Sequence, residues 1–138
     1  MATHHDTVRI RTPARESTTD ITERVREIVQ RSGIRDGLCL VASTHTTAAV
    51  FVNENADPAV QDDLLAALSR AVPDDAEYRH AEGNSAAHIK AVLIGGDVTI
   101  AVRDGELVLG RWQGIYFAEL DGPRARVATV SVSGDRAP

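Results

Sequence analysis

The stretch Leu38–Val52, LCLVASTHTTAAVFV, contains two apolar runs separated by a short polar segment. The first run, Leu38–Ala42, is continuous, which is typical of a strand that is buried on both faces. The second run, Ala48–Val52, predicts a neighbouring strand, joined to the first through His45-Thr46-Thr47. The sequence therefore predicts two adjacent strands with a histidine where they meet.

The first predicted strand is Thr7–Arg11, because its apolar residues alternate with polar ones. The apolar residues that follow it are spaced as in a helix. Asp20 and Glu23 form a candidate capping box for a helix that Gly33 ends. The apolar positions of this helix are Ile21, Val25, Ile28 and Val29.

A second helix is predicted to begin at Asp57-Pro58, with Asp as the N-cap residue and Pro at the first helical position. Pro73 ends it. Its predicted buried stripe consists of Val60, Leu64, Leu68 and Val72.

The stretch from Asn84 to Gly95-Gly96 predicts a short third helix, because its apolar residues lie at i, i+3 and i+4. A strand remains the alternative, since Val and Ile also favour sheets. The rest of the chain is rich in strands, and Asp104-Gly105 is a strong hairpin-turn signal. The predicted strands in this part are Val98–Val102, Ile115–Leu120 and Val127–Val132.

This order of elements predicts the α+β class, as one compact domain covering residues 1–138. We expect a largely antiparallel or mixed β-sheet with two to three helices. Met1–Asp6 is polar and is predicted to be disordered.

Composition excludes several classes of protein. The formal charge of −5 and the aromatic content of 4% argue against a nucleic-acid surface. No apolar stretch approaches the roughly 20 residues that a membrane span needs, and no signal peptide is recognisable. The lone Cys39 cannot form an internal disulfide, so we expect a cytoplasmic protein.

Three histidines are the main candidates for chemistry: His45, His80 and His88. Neutral imidazole is a common ligand of divalent transition metals and transfers protons near neutral pH. Gly83-Asn84 suits a sharp turn that brings His80 and His88 together. The spacing matches no strict zinc motif. The alternative is that the three residues have separate structural roles: His45 as a hydrogen-bonded turn residue, His80 as a solvated loop residue and His88 as a residue in the first turn of a helix.

Polar residues near the ends of predicted strands add further candidates. Glu54 follows a buried strand without capping a helix, so it is a candidate general base or hydrogen-bond partner of a metal-bound imidazole. Gln113, between two glycines, is a candidate substrate contact. Glu119, Arg124 and Arg126 form either an ordinary salt-bridge group or an anion subsite.

Seven stretches of the chain carry a resemblance to a known family: His45-Thr46-Thr47-Ala48-Ala49, Asn53-Glu54-Asn55-Ala56-Asp57-Pro58, the helix containing Asp63, Tyr78-Arg79-His80, His88-Ile89-Lys90-Ala91, Gly110-Arg111-Trp112-Gln113-Gly114-Ile115 and Glu119. With these motifs the chain resembles the YjbQ family, also called the secondary thiamine-phosphate synthase family, from about Val8 to Val132. It departs from the usual family pattern at Arg111, where Thr is expected, and at Ala101, where Pro is expected.

The resemblance implies an α+β domain that forms a homotrimer, with a divalent metal such as zinc at His45, His80 and His88. It also implies a weak activity that joins hydroxymethylpyrimidine diphosphate to thiazole phosphate. The resulting hypothesis is a metal-dependent enzyme of small phosphorylated substrates, with Glu54 beside the metal. Magnesium accompanying the diphosphate is also plausible. The alternative is a trimeric metal- or metabolite-binding protein without catalysis.

Overall fold

We describe residues 1–137 of the chain from a computed structural model. They form three helices and eight strands. In chain order these are β1 (Ala2–Arg11), β2 (Ser17–Asp20), α1 (Thr22–Ser32), β3 (Ile34–Ser43), β4 (Ala48–Glu54), α2 (Pro58–Ala71), α3 (Ser85–Ile94), β5 (Asp97–Arg103), β6 (Glu106–Leu107), β7 (Gln113–Glu119) and β8 (Ala125–Arg136).

The strands form two sheets. The larger sheet has the order β1-β8-β3-β5-β6, and the smaller has the order β2-β7-β4. Strand pairs in both sheets are antiparallel. Helix α1 and both sheets contribute to one continuous hydrophobic core, which includes Val25 of α1, Val130 of β8 and Phe117 of β7. The predicted α+β class with largely antiparallel sheets is confirmed.

Within a single chain, strand β3 is buried on one face only, so at that level the prediction of a strand buried on both faces is wrong. Cys39 and Val41 are fully buried in the core, whereas Leu38 and Leu40 are 55% and 39% exposed. Successive side chains of a strand point to opposite faces of a sheet. The continuous apolar run therefore reflects an outer sheet face that carries leucines, rather than two covered faces.

Strand β4 is not the neighbour of β3. It pairs with β7 in the smaller sheet, while β3 lies between β8 and β5 in the larger one. The polar segment 44–47 therefore carries the chain from one sheet to the other instead of closing a hairpin. This crossing places His45 at the boundary between the two sheets.

The N-terminal residues are ordered, which corrects the prediction of disorder for residues 1–6. Strand β1 begins at Ala2 and pairs with β8 from Ala2 opposite Gly134 to Arg11 opposite Ala125. Asp6 accepts a hydrogen bond of 2.7 Å from Arg31 of α1. The polar composition was misleading because these residues lie on an edge strand, where backbone pairing and one half-buried face suffice.

The helix signals are largely confirmed. Asp57 accepts a hydrogen bond from the Ala59 N–H at 2.9 Å, with Pro58 at the start of α2, and Gly33 ends α1 in the left-handed region at φ 70°. The capping box is wrong. Asp20 does accept from the Thr22 N–H, but it ends strand β2, and Glu23 pairs with Arg26 instead.

Helix α3 forms, and the alternative of a strand at this position is not realised. Asp104 and Gly105 form the expected turn, with φ values of 53° and 79°.

Three of the four residues in the predicted buried stripe of α2 are only half-buried: Val60, Leu64 and Leu68. Within residues 1–137, none of the helices is both long and apolar enough to cross a bilayer.

Strands β3 and β8 approach closely at a pair of glycines. Gly37 lies opposite Gly134, next to a register shift between Ile34 and Asp36. A Cβ atom on Gly37 would lie 1.9 Å from the carbonyl oxygen of Ser133, and one on Gly134 would lie 2.0 Å from that of Asp36. The obstructing atoms are backbone, so the strands themselves would have to separate.

We therefore expect Gly37→Ala to lower the free energy of unfolding by about 1–3 kcal/mol, as overpacking of a core does. Urea denaturation measures this change. Gly96→Ala is the matched control, because a Cβ atom there meets nothing within 4 Å. Equal stability of the two variants would contradict the close approach of β3 and β8.

Candidate functional site

The three histidines line one pocket of ≈ 450 Å³, which we call the histidine pocket. His45 comes from the segment between β3 and β4, His80 from the connection between α2 and α3, and His88 from α3. The other residues that line the pocket are Thr44, Thr46, Thr47, Glu82, Asn84, Asp121, Arg124 and Arg126. The fold therefore places imidazoles, hydroxyl groups and guanidinium groups around one space.

His80 and His88 form a close pair. Their ring centroids are 5.3 Å apart, and the rings are nearly perpendicular, at 87°. The turn between them depends on Gly83, at φ 74°, and on Asn84, whose carbonyl oxygen accepts from the Ala87 and His88 N–H groups. The first turn of α3 thus folds back over the connection that carries His80.

His45 is held differently, because its Nε2 accepts a hydrogen bond of 3.0 Å from the Val127 N–H. An imidazole nitrogen that accepts a hydrogen bond carries no proton, so the neutral ring has its proton on Nδ1. Burial lowers the pKa of His45, and the positive charge of Arg126 lowers it further. His45 is therefore neutral at pH 7, with its acceptor nitrogen already engaged.

Two of the three histidines are spaced as two ligands of one metal ion would be. Zn–N bonds of about 2.0–2.1 Å place the centroids of two imidazoles on one tetrahedral ion roughly 5 Å apart, which matches the His80–His88 pair. His45 does not fit as a third ligand in this conformation, because its only free lone pair binds the Val127 N–H. Within residues 1–137, no three His, Cys, Asp or Glu side chains are placed to share an ion.

Arg126, which lines the histidine pocket, forms a buried ion pair with Glu119 behind it; the two residues are 4% and 0% exposed, and we call this pair the floor of the pocket. The Arg126 Nε donates to Glu119 at 2.9 Å, and Arg126 also donates to the Thr47 hydroxyl at 2.8 Å. The Thr12 hydroxyl and the N–H groups of Leu120 and Asp121 donate to the same carboxylate.

These bonds fix the charges of the floor. Burial alone raises the pKa of Glu119, but the hydrogen bonds from Arg126, Thr12 and the Asp121 N–H outweigh it, so the pKa lies below its ordinary value. Glu119 is therefore ionised at neutral pH, and it balances the charge of Arg126. Neither residue is free to bind an anion by charge alone.

Arg124 is the more accessible cation of the histidine pocket. Its side chain is 52% exposed and donates to the Asp121 carboxylate at 2.9 Å. The same carboxylate oxygen accepts from the Asn84 side chain at 2.8 Å. The Asn84 side-chain oxygen is buried without a hydrogen-bond partner, although the residue as a whole is only half-buried. Arg124 is therefore the guanidinium that can turn toward a ligand.

Glu54 and Gln113 do not line the histidine pocket. They lie opposite each other at one end of the β4–β7 pair, whereas Ala48 and Glu119 lie opposite each other at the other end. Six residue steps at about 3.3 Å each separate the two ends by roughly 20 Å. Within one chain, Glu54 therefore cannot act as a base or hydrogen-bond partner at His45, and Gln113 cannot orient a ligand there.

Helix α3 is anchored by Lys90, which is 2% exposed. Its ammonium group lies 2.9 Å from a Glu16 carboxylate oxygen and 3.4 Å from the Ser69 hydroxyl of α2. Sequence reasoning missed this anchor and also Asp121. A signal for Lys90 existed, because it shares a helix face with Ala86, Ala87 and Ala91, and a lysine on an apolar face needs a partner.

Comparison with known proteins gives one family. The family described as "UPF0047 protein YjbQ-like" matches residues 6–135 of this chain. A UPF0047 protein of Methanocaldococcus jannaschii is 45% identical over 127 residues, which is 92% of each chain. The UPF0047 protein YugU of Bacillus subtilis is 43% identical over 129 residues, covering 93% of this chain and 98% of that one.

Solved structures agree with this assignment. An uncharacterised conserved protein of the YjbQ/UPF0047 group from Clostridium acetobutylicum has a TM-score of 0.91 at 44% identity, covering 93% of this chain and 99% of that chain. A YbjQ-like protein of unknown function from Sulfolobus solfataricus has a TM-score of 0.94 at 34% identity, covering 97% and 99%.

The floor of the histidine pocket yields a test. We expect Glu119→Gln to lower the free energy of unfolding by about 3–5 kcal/mol, because it leaves the buried Arg126 charge unpaired. The double variant Glu119→Gln/Arg126→Met should lose less, since both charges are gone. Urea denaturation at pH 7 of the wild type, the single variants and the double variant measures the coupling.

The same pair makes the wild type sensitive to acid. Because the pKa of Glu119 is lowered in the folded state, its stabilisation is present above the pKa of the unfolded carboxyl group. It is lost as the pH falls through the folded value. The double variant should lack this acid-dependent part of the stability. If the losses in unfolding free energy of Glu119→Gln and Arg126→Met at pH 7 simply add up to the loss in the double variant, the pairing is contradicted.

Proposed function

We propose that this chain, which belongs to the YjbQ-like UPF0047 family, is a metal-dependent enzyme that acts on small phosphorylated substrates in the histidine pocket. The observation that carries the proposal is the convergence of His45, His80 and His88 on one pocket that also contains Arg124. Imidazole is suited to metal binding and proton transfer, and guanidinium to phosphate binding. The reaction we propose to assay is the formation of thiamine phosphate.

The proposal assigns different roles to the histidines. His80 and His88 would hold the metal, since their spacing suits two ligands of one ion. Zinc is the first candidate, and magnesium is the alternative where a diphosphate accompanies it. When bound there, such an ion would supply Lewis acidity toward a phosphoryl oxygen. His45 stays neutral and lies within the same pocket, where it is available to contact the substrate.

Arg124 neutralises the departing group in this proposal. In the thiamine reaction a C–N bond forms as the thiazole nitrogen attacks the methylene carbon, and the C–O bond to diphosphate breaks. Negative charge therefore grows on the leaving group, so a flexible guanidinium beside it lowers the barrier. Arg124 can swing from Asp121 to a phosphate oxygen, whereas Arg126 remains bound to Glu119. The Arg126 pair supports the pocket without serving as a phosphate ligand.

The proposal also places the protein in the cytoplasm as a homotrimer. The buried thiol of Cys39, whose pKa burial raises to about 11, suits a reducing compartment. Exposed apolar side chains support self-association. They include Leu38 and Leu40 on the outer face of β3 and Val92 and Leu93 on α3, the latter two 81% and 61% exposed.

Metal binding and product formation test the site. We expect the wild type to bind about one zinc ion per chain, and His80→Ala or His88→Ala to weaken zinc binding at least about tenfold. His45→Ala should retain zinc but lose product formation from the two thiamine precursors by about 100-fold. Elemental analysis, zinc titration and a product assay measure these quantities.

His5→Ala is the matched control, because His5 lies on β1 and contacts Ser131 outside the histidine pocket. Substoichiometric zinc in the wild type after zinc loading, or equal losses in His5→Ala, would overturn the metal assignment. Binding of zinc and phosphate without any product would favour the alternative, a metal- or metabolite-binding protein without catalysis.

The oligomer has its own test. We expect light scattering after size exclusion to give the mass of a trimer for the wild type. Leu38→Lys/Leu40→Lys should yield a smaller species, because charges on the outer face of β3 oppose its burial. Gln30→Lys, on an exposed position of α1, is the control. A monomeric wild type would contradict the proposed trimer.

A further inference from the structure

A second cavity, of ≈ 400 Å³, adjoins the histidine pocket. Its lining includes the same two imidazoles, His80 and His88, so the pair forms a wall common to both spaces. The other residues that line it are Tyr78, Arg79, Ser85 and Ile89. We call this space the Tyr78 cavity. The two spaces therefore meet along this imidazole pair.

The two spaces differ in chemistry. The histidine pocket is lined by three threonines, an asparagine and charged side chains. In the Tyr78 cavity the tyrosine hydroxyl donates to the Pro73 carbonyl oxygen at 2.6 Å, which engages its polar end and fixes the ring. Ile89, 39% exposed, supplies an aliphatic surface. Ser85 contributes the remaining hydroxyl group, so the Tyr78 cavity offers a ring, an aliphatic side chain and imidazole edges.

We infer that the Tyr78 cavity is a subsite for the carbon-rich part of a two-part ligand whose phosphoryl group occupies the histidine pocket. This inference rests on the proposed function, because it takes the phosphoryl group from there. It adds the residues that select the rest of the molecule, with Tyr78 and Ile89 as the apolar walls. The bond between the two parts of the ligand then lies beside His80 and His88, within reach of their ring nitrogens.

Size and polarity narrow the class of ligand. A cavity of about 150 Å³ with apolar walls holds benzene, so the Tyr78 cavity has room for a substituted ring. A sugar in the same place could bond to Ser85 and Arg79, but its hydroxyl groups would find no partners along the tyrosine face and the isoleucine, which a ring would cover instead. The Arg79 guanidinium, which also lines the cavity, can stack on a planar ring. The geometry therefore favours a flat, weakly polar group over a polyol.

Binding of three phosphates tests this subsite. The probes are inorganic phosphate, which fills only the histidine pocket, glycerol 1-phosphate and benzyl phosphate. Isothermal titration of the full chain should give at least about tenfold tighter binding of benzyl phosphate than of glycerol 1-phosphate. Ile89→Trp, which fills the Tyr78 cavity, should abolish this preference and leave the affinity for inorganic phosphate unchanged.

Gln30→Trp is the control, because Gln30 is exposed on α1 and does not line the Tyr78 cavity. Ile89→Ser, which removes the aliphatic wall without adding bulk, should reduce the preference and guards against misfolding of the Trp variant. Equal binding of the two esters by the wild type, or a preference that survives in Ile89→Trp, would overturn the subsite alone. Failure of the wild type to bind any of the three phosphates would overturn the proposed function together with the subsite.

Discussion

The carboxylate of Glu119 joins parts of the chain that are far apart in sequence. It accepts from Thr12 after β1, from Arg126 on β8 and from backbone groups beyond β7. Arg126 in turn holds Thr47, two residues from His45. The Val127 N–H, next along β8, holds the ring of His45 itself. A charge pair buried this deeply needs every one of these partners, because an incomplete set would leave a desolvated charge.

A second ion pair positions the other side of the histidine pocket. Lys90 fixes α3, and through it His88, to Glu16 in the short connection between β1 and β2. The same connection contains Thr12, which contacts Glu119, and Arg15, whose carbonyl oxygen accepts from the Gly122 N–H. One short segment therefore contacts both the Glu119–Arg126 pair and helix α3, which carries His88, although none of its residues lines the histidine pocket.

Local signals in the sequence predicted most elements, and long-range pairing accounts for most errors. The cap at Asp57 and the turn at Asp104-Gly105 depend on neighbouring residues, so they were predictable. The assignment of β4 to a different sheet from β3 depends on its pairing with β7, which periodicity does not encode. Glu54 was proposed because it follows a buried strand without capping a helix, but the length of β4 carries it to the end of the β4–β7 pair that lies away from His45.

The two sides of the histidine pocket differ in how readily their backbone opens to solvent. His45 lies between strands β3 and β4, and its ring accepts from the Val127 N–H of β8, so the strand amides on this side should open to solvent only with extensive unfolding. His80 belongs to the irregular connection from Pro73 to Asn84, whose backbone is bridged mainly by short local hydrogen bonds. Occupancy of the pocket would then register as slowed amide exchange in this connection, while the strands stay unaltered. Ligand binding would thus be detectable as reduced mobility of the connection from Pro73 to Asn84.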